Sequence, residues 1–366
     1  MVRLNRAQQQ ERNRARVLAA AREEFAERGY RDAKIDRIAH RADLTRGAVY
    51  SNFPGKRALY FAVLAEAAAR AEPGHAPASG ADPAQALGTF ARAWVARLPL
   101  TGDEERVGAE LMGEVAADPR VGAVFSQLTA LQAILLGLAL ENLEAGSEPG
   151  RRRVRTARSV LTTLHGAAQL AVAAPGFADP FTVIRSCERL AGLDLEDAWP
   201  LPYVDHLPDA RAVDEPWSAP TGVDVLRGKA TTVDDGVVAV VGLRRLEAVE
   251  EALRAAPEGA PVTVVPVTTE PAELLPLVRL ALAELRTCLV PAFPARCWAR
   301  PVFVLDPGLA LAAGAADPHD DLELALRVHG GRVVARAEGR GAAHAVGAFV
   351  PAGSGGRGSA GGRAAR

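Results

Sequence analysis

The chain of 366 residues has room for two or three domains, and its 49% hydrophobic and 24% charged residues are ordinary for a globular protein with a sizeable core. Its three cysteines are odd in number and form no CxxC pair, which predicts reduced thiols rather than a disulfide framework. The net charge of −1 is unevenly distributed: residues 1–60 carry 14 basic and 7 acidic groups, and the remaining residues carry 29 basic and 37 acidic groups. A basic N-terminal end on an acidic body predicts a polyanionic partner at that end.

No apolar stretch typical of a signal peptide follows the first basic residues. The basic residues at the start of the chain predict a flexible arm over 1–11. The arginines of this region are Arg3, Arg6, Arg12, Arg14 and Arg16. Two interpretations stay open, a solvated tail or an arm that reaches DNA phosphates or the minor groove. The longest apolar run, residues 128–140, is too short to span a bilayer, and the sequence predicts a cytoplasmic protein.

Four helices are predicted over residues 12–72. They cover 14–28, 35–42, 46–52 and 56–72. Gly29 ends the first helix, and Thr45 is a good N-cap for the third. Two short helices joined by a tight turn at Asp43 and Leu44 form a helix-turn-helix unit.

The third helix divides into an inner and an outer face, as a recognition helix requires. Val49 points inward, whereas the residues Arg46, Gly47, Ala48, Ser51 and Asn52 face outward. Small side chains at Gly47 and Ala48 permit a close approach to DNA, and Arg46 can bind a guanine edge in bidentate fashion. Tyr50, Asn52 and Lys56 suit phosphates, which fix the register without reading sequence.

The head resembles the DNA-binding domain of the TetR family of transcriptional regulators over residues 12–64, through the stretches RVLAAAREEFAERGY and IDRIAHRADLTRGAVYSNFPGKRALYFAVL. The resemblance implies a ligand-responsive regulator of the repressor type, which binds a pseudo-palindromic operator in double-stranded DNA as a homodimer. By the same resemblance, the phosphate contacts are Thr45, Tyr50, Asn52 and Lys56, and the residues against the bases are Arg46, Gly47 and Ala48.

Two positions depart from the family's pattern. Lys34 stands before the second helix where the family has Thr, and it can hold a phosphate as a point charge but cannot cap the helix in the same way. Asp43 stands in the turn where the family has Gly, and Asp tolerates a left-handed backbone better than most residues. We therefore expect Lys34 to contact DNA and the turn to form.

Helical periodicity continues after a loop of residues 73–83. The helices are predicted near 83–98, 103–117, 119–145, 150–174 and 179–193. The resemblance implies that residues 83–195 are the family's all-helical ligand-binding and dimerisation domain, whose last two helices pair with those of a second subunit. A two-fold dimer would place its recognition helices about one DNA turn apart, ~34 Å.

Few polar side chains are available to orient a small-molecule effector in this helical body. The candidates are Trp94, Gln127, Gln132, His165 and Gln169. His165 has two interpretations, a ligand contact or a satisfied histidine in the core or interface. The sequence does not identify the effector.

Residues 196–220 are rich in proline and predict a linker, at the point where ordinary members of the family end. After it, strands near 236–243, 261–267 and 301–306 alternate with helices, and a hairpin follows around His329-Gly330-Gly331. The fold class is therefore multidomain, with an all-α head and body plus a small accessory α/β domain with a mixed sheet over 221–350 and a disordered tail over 351–366. We expect the α/β domain to fold separately, so that a chain ending near Leu207 still dimerises and binds DNA.

The C-terminal third contains no GxGxxG, GxxxxGK[ST] or GxSxG motif. Its potential metal ligands, Cys288, Cys297, His319 and His329, lack metal-ligand spacing, so we expect no metal and no cofactor. Asp306 stands at a strand end where ligands bind in open α/β sheets, but a turn or cap explains it better. The sequence favours a ligand-binding or interaction domain, and the alternative of an enzyme fused to a DNA-binding head stays open.

Overall fold

The computed structural model of the chain describes residues 6–75, 77, 82–98, 108, 110–144, 151–199, 207–218 and 221–350. The predicted tail over 351–366 and the first five residues of the predicted arm lie outside this part of the chain. Residues from Arg6 onward belong to the first helix, so the rest of the arm is helical rather than flexible. The stretch RAQQQER explains the difference, because Arg, Ala, Gln and Glu all have high helix propensity.

Nine helices precede the sheet region in the described residues. They are α1 (Arg6–Asp32), α2 (Ile35–Arg41), α3 (Arg46–Tyr50), α4 (Lys56–Arg70), α5 (Pro83–Val95), α6 (Leu111–Ala117), α7 (Pro119–Glu144), α8 (Val154–Ala173) and α9 (Pro180–Leu190). Gly29 interrupts α1 with a φ of 71°, as its predicted role as a helix stop requires. Asp82 and Asp179 cap α5 and α9 by accepting hydrogen bonds from backbone N–H groups two or three residues into each helix.

The long helix α7 contains the apolar run 128–140. By length and composition alone this 26-residue helix could cross a membrane, although 61% of its most apolar window is buried inside the protein. Helices α5, α6 and α8 and a helix of the C-terminal region over Pro271–Ala292 pack against it. Its apolar surface is therefore used in the core of the helical body.

A six-stranded mixed sheet forms the centre of the C-terminal region. The strands and helices there are β1 (Arg211–Pro216), β2 (Gly222–Asp224), β3 (Lys229–Thr231), β4 (Gly236–Gly242), α10 (Ala248–Ala255), β5 (Val262–Val267), α11 (Pro271–Ala292), β6 (Val302–Phe303), α12 (Pro307–Ala312), β7 (Glu323–His329), β8 (Arg332–Glu338) and α13 (Ala342–Gly347). The strand order is β1-β8-β7-β4-β5-β6, with parallel pairs only at β4–β5 and β5–β6. The mixed sheet predicted from the sequence is confirmed.

Strand β1 lies inside the segment predicted as a linker. Residues 211–216 pair antiparallel with β8 at the edge of the sheet. The sequence hides this strand because Asp214, Glu215 and Pro216 are poor strand formers. At an edge those residue types are tolerated, since they prevent further strand pairing.

Helix α11 leaves the sheet and packs along α4 of the head. The two helices run parallel, since Arg57 lies 2.5 Å from Glu273 near their N-termini. At the other end, a Cβ built on Gly74 would lie 3.3 Å from the Cβ of Pro291. Helix α11 also packs against α5 and α7, so it lies between the head and the body.

One continuous buried core extends from Val17 in the head to Val346 in the C-terminal region. A second, smaller core covers the opposite face of the sheet. The proline-rich segment predicts that the C-terminal region folds separately, whereas in the structure this region shares a core with the head and body. The reason is α11, whose apolar residues on two faces are buried against helices of the head and body.

Candidate nucleic-acid interface and effector cavity

The recognition helix α3 starts at a well-formed N-cap. The side-chain oxygen of Thr45 accepts a hydrogen bond from the backbone N–H of Ala48 at 3.2 Å. Val49 is buried against the core of the head, as predicted. The turn before the helix forms with Asp43 at a φ of 50°, in the left-handed region that the sequence assigned to it.

Arg46 is exposed at the first turn of α3. Its guanidinium lies 3.4 Å from the carboxylate of Asp36 and 5.5 Å from the centroid of the Tyr50 ring. Both partners are exposed, and the side chain of Arg46 keeps 62% of its surface accessible. Exposed ion pairs are weak, so the guanidinium can exchange Asp36 for a base edge at little cost.

Gly47 and Ala48 follow Arg46 on the outer surface. A Cβ built on Gly47 would meet only the side-chain oxygen of Thr45, at 3.9 Å, so the fold itself leaves room for a larger residue there. Asn52 is half-buried and donates its amide N–H to the backbone oxygen of Ala48 at 2.8 Å. Tyr50 is 42% exposed beside them. The assignment of these residues to DNA contacts remains a prediction.

Lys56 is held by the head itself. Its ammonium group donates to the backbone oxygens of Tyr30 at 2.8 Å, Arg31 at 3.0 Å and Ala33 at 3.3 Å. It also lies 4.5 Å from the centroid of the Tyr30 ring. The group therefore satisfies carbonyl groups at the end of α1, where a positive charge is favourable. Lys34, in contrast, is exposed and its ammonium group has no hydrogen bond or ion pair with the described residues.

We expect Lys56→Ala to lower the melting temperature of the protein, because three carbonyl oxygens and the end of α1 lose their donor. The loss should be about 1–3 kcal/mol, the cost of leaving such groups unpaired. Lys34→Ala, the matched control, should leave the melting temperature unchanged and reduce the slope of log K against log salt by about 1 per subunit. A lower salt slope for Lys56→Ala at unchanged stability would contradict this assignment and favour a phosphate contact.

Two arginines from the region of the predicted arm contact residues on either side of the recognition helix. Arg14 donates to the backbone oxygen of Asn52 at 3.4 Å and lies 4.4 Å from the centroid of the Phe53 ring. Arg16 donates to both the backbone and the side-chain oxygen of Asp43 at 3.1 Å. Sequence reasoning missed these contacts because they join positions 27 and 38 residues apart.

A buried carboxylate also organises the head. Glu24 is completely buried, and the guanidinium groups of Arg28, Arg37 and Arg41 lie 3.3 to 3.8 Å from its oxygens. The backbone N–H of Lys34 donates to the same carboxylate at 3.4 Å. This cluster ties α1 to α2, so much of the arginine content on these helices is structural.

The helical body contains a cavity of about 610 Å³ between α6, α7 and α8. Its lining combines apolar and polar residues with one residue of the α/β region, and consists of Met112, Phe125, Ser126, Thr129, Ala130, Ala133, Arg158, Leu161, Thr162, His165, Gly166, Gln169 and Glu247. Such a volume is typical of small-molecule sites. Helix α8 contributes a polar stripe with helical spacing, from Arg158 through Thr162 and His165 to Gln169.

Two of the five predicted effector contacts, His165 and Gln169, line this cavity. Trp94 packs edge-on against His165, with ring centroids 4.9 Å apart. Gln132 donates its amide N–H to the backbone oxygen of Ala281 in α11 at 2.8 Å. Gln127 has a buried side-chain oxygen without a hydrogen-bond partner in the described residues, but it lies outside the cavity lining.

His165 is not a satisfied core histidine. Its Nε2 atom is buried and has no hydrogen-bond partner among the described residues. Burial lowers the pKa of His165 below its usual range, so the imidazole is neutral near pH 7. Phe125 faces it as well, with ring centroids 6.0 Å apart. An unpaired polar atom in an aromatic wall favours the interpretation of His165 as a ligand contact.

The ends of α8 and α9 expose large apolar side chains. Phe177 and Phe181 keep 72% and 78% of their surface accessible. Leu170, Val172 and Leu193 are also exposed nearby in the chain. In contrast, Leu164 of α8 and Cys187 of α9 are completely buried within the subunit. An exposed apolar patch on a pair of helices indicates a protein interface.

The described residues contain no group of three or more His, Cys, Asp or Glu side chains that could hold a metal ion. The three cysteines are free and buried. Burial raises the pKa of Cys187 and of Cys288 to about 12, so neither thiol is ionised near pH 7.

The head is similar to a family of known proteins. Residues 17–63 match the family model described as bacterial regulatory proteins of the tetR family. The HTH-type transcriptional regulator SrpR of Pseudomonas putida is 48% identical over 59 residues, which are 16% of this chain and 28% of that protein. The HTH-type transcriptional activator FasR of Mycolicibacterium smegmatis is 45% identical over 60 residues, 16% of this chain and 27% of that protein. The chain thus spans less than a third of the length of these two relatives.

Solved structures overlap with a larger part of the chain. A transcriptional regulator from Rhodococcus sp. Rha1 is 25% identical with a TM-score of 0.35, and covers 51% of this chain and 99% of its own. GusR of Salmonella enterica is 24% identical with a TM-score of 0.36, and covers 50% of this chain and 94% of its own. Both overlaps leave about half of this chain uncovered.

Proposed function

We propose, from a head whose residues 17–63 belong to the TetR family of bacterial regulatory proteins, that this protein is a ligand-responsive transcriptional repressor acting as a homodimer in the cytoplasm. The observation that carries the DNA-binding part is the helix-turn-helix itself. Thr45 caps the recognition helix, Val49 anchors it, and Arg46 remains exposed at its first turn. This arrangement is suited to the major groove of DNA.

The exposed patch at the ends of α8 and α9 supports dimerisation. Phe177 and Phe181 would bury large aromatic surfaces against a second subunit, which is the commonest source of interface free energy. A two-fold axis through this patch leads to an operator with two half-sites related by a pseudo-palindrome.

The cavity beside His165 supports control by a small molecule. A ligand that binds better to one arrangement of the head and body shifts the population towards that arrangement. In a repressor, the favoured arrangement would no longer match the spacing of the operator half-sites. Release of DNA on effector binding is therefore the expected response.

The experiment is selection of bound sequences from a random DNA library with the purified full chain, followed by titration of the selected operator. We expect a pseudo-palindromic consensus and binding by a dimer. A reporter gene placed behind that operator should be repressed by the protein. Failure to enrich any sequence would contradict the proposed function, and activation of the reporter would contradict the repressor assignment alone.

We expect Arg46→Ala to relax sequence preference by about 1–3 kcal/mol at one base position per half-site, because a bidentate contact to a base edge is lost. Binding should be measured against a panel of operators that differ at single positions. Asp36→Ala is a useful control, since it removes the exposed partner of Arg46 without removing the guanidinium. An equal loss of affinity on every operator would show that Arg46 contacts phosphate only.

A further inference from the structure

A second cavity adjoins the effector cavity at helix α11 of the C-terminal region. A small inner cavity of about 20 Å³ shares Phe125, Thr129 and His165 with the main cavity. Its far wall is formed by Leu277, Leu280, Ala281 and Glu284, all on α11. The effector site of the helical body is therefore closed by an element from beyond residue 220.

Two polar groups face this inner cavity. One is the imidazole of His165 on α8, whose buried Nε2 atom has no hydrogen-bond partner among the described residues. The other is the carboxyl group of Glu284, which has no hydrogen bond or ion pair with the described residues. Arg97 approaches Glu284, but its guanidinium lies 5.3 Å from the Trp94 ring centroid and 3.8 Å from the sulfur of Cys288. The wall has two further polar side chains: Gln132 donates to the backbone oxygen of Ala281, and Thr129 donates to that of Phe125.

Size and hydrogen bonding restrict what can occupy this space. A cavity of 20 Å³ has room for one group of about the size of a water molecule. Burial raises the pKa of the Glu284 carboxyl, so the neutral acid is favoured until a cation binds beside it. With a cation bound, the carboxylate offers only acceptors, and neutral His165 offers an acceptor at Nε2 when its proton is on Nδ1. A protonated primary amine supplies three donors and a positive charge, whereas a hydroxyl group supplies one donor. A bound carboxylate would be repelled by Glu284.

We propose that the C-terminal α/β region completes the effector site, and that Glu284 of α11 and His165 of α8 together bind the primary amine of an apolar effector. This inference rests on the effector cavity of the proposed function. The body of the effector occupies the main cavity, where Phe125, Ala133 and Leu161 provide apolar contact. The aromatic rings of Phe125 and Trp94 on either side of His165 limit the access of water to the amine.

The mouth of the main cavity offers a competing position for a charged group. Arg158 on α8 and Glu247 before α10 both line it, and both are exposed. An ion pair there would be weak because the groups are in contact with water. Burial makes the same interaction stronger at Glu284, where the carboxyl group is shielded from solvent. We therefore assign the amine to the inner end of the cavity.

The same helix connects the amine to the head. Glu284 of α11 lines the inner cavity, and Glu273, about three turns earlier on the same helix, pairs with Arg57 of α4. An effector that binds Glu284 contacts α11. The N-terminal end of α11 is paired with α4, the helix that follows the recognition helix. The C-terminal region thus transmits occupancy of the cavity to the DNA-binding head.

The test uses the full chain and three probes of one shape: 4-phenylbenzylamine, 4-phenylbenzyl alcohol and biphenyl-4-carboxylate. Binding is measured by calorimetry and by tryptophan fluorescence, to which Trp94 contributes beside His165 together with three other tryptophans. We expect the amine to bind at least ~10-fold more tightly than the alcohol, as is typical of a hydrogen bond to a charged group. The carboxylate should bind most weakly. Glu284→Gln should reduce the affinity for the amine ~10-fold or more and leave that for the alcohol within ~3-fold.

Glu247→Gln is the matched control, since it removes a carboxylate from the mouth of the same cavity and should leave the amine affinity unchanged. Equal binding of amine and alcohol, tighter binding of the carboxylate, or loss of amine binding only in Glu247→Gln would each overturn the proposal. Thermal melting of each variant verifies its fold, and His165→Leu gives a second route to the same loss. Operator binding is measured separately, so failure of DNA recognition would refute the proposed function without affecting this result.

Discussion

A chain that ends at Leu207 is expected to lose its cooperative fold and its affinity for DNA. Helix α11 buries Leu274, Leu277, Val278, Leu282 and Leu285 in the shared core. Burial of five such side chains stabilises a protein by about 8–15 kcal/mol, at roughly 1.5–3 kcal/mol each. This range equals the whole stability of a typical domain, about 5–15 kcal/mol. The shared core therefore leads us to expect the opposite of the result that the sequence alone predicts.

The measurements are thermal unfolding by circular dichroism, size-exclusion chromatography and titration of the operator. The matched control is a chain that ends at residue 350, which retains α11 and every other described element. We expect the control to behave as the full chain does, and the shorter chain to aggregate or melt without a cooperative transition. A folded dimer with undiminished operator affinity would restore the interpretation of residues 221–350 as an independent accessory domain.

Arg152→Ala is expected to destabilise the protein by about 1.5–3 kcal/mol, as is typical of hydrogen bonds to charged groups, because Glu250 and Asp197 each keep another arginine partner. Arg152 binds Glu250 of α10 through two hydrogen bonds of 2.8 and 2.7 Å and Asp197 through one of 2.5 Å. The side chains of Glu250 and Asp197 each keep only 5% of their surface exposed. Glu250 keeps one of its two cationic partners after the substitution, because Arg254 also binds it.

Chemical denaturation of the variant measures this loss directly. Arg158→Ala, further along α8, is the control because its guanidinium is exposed and has no ion pair within the described residues. A double-mutant cycle with Glu250→Gln separates the direct interaction from the cost of the isolated acid. If Arg152→Ala and Arg158→Ala destabilise the protein equally, the buried cluster does not hold the body to the α/β region.

The sequence was sufficient for most elements with a strong local signal. Thr45 as a helix cap, Gly29 as a helix stop and Asp43 as a left-handed turn residue depend on nearby backbone atoms alone, so the structure confirms each of them. The buried strands β4 and β5 consist largely of valine and were located to within one residue. Such features need no knowledge of distant parts of the chain.

Contacts between distant positions could not be read in the same way. Lys56 has the sequence signature of a phosphate contact, yet its donors are used by carbonyl groups 23 to 26 residues earlier. Helix α11 has apolar residues on two faces, which predicts that it is buried. The sequence does not indicate that α4 is the helix against which it packs. Glu284 and Glu247 are ordinary acids in the sequence, and only the fold brings them to the effector cavity.

The pairing of α4 with α11 has a consequence for synthesis of the protein. Arg57 and Glu273 are 216 residues apart, so a ribosome completes α4 long before its partner exists. At the usual ~5–20 residues per second, the interval from Arg70 to Ala292 is about 10–45 s. During that time, the head lacks the helix that covers one side of α4. If the protein acts as proposed, we expect a prematurely terminated chain to carry the recognition helix without the support of α11. The growing chain should bind an operator only when translation is nearly finished.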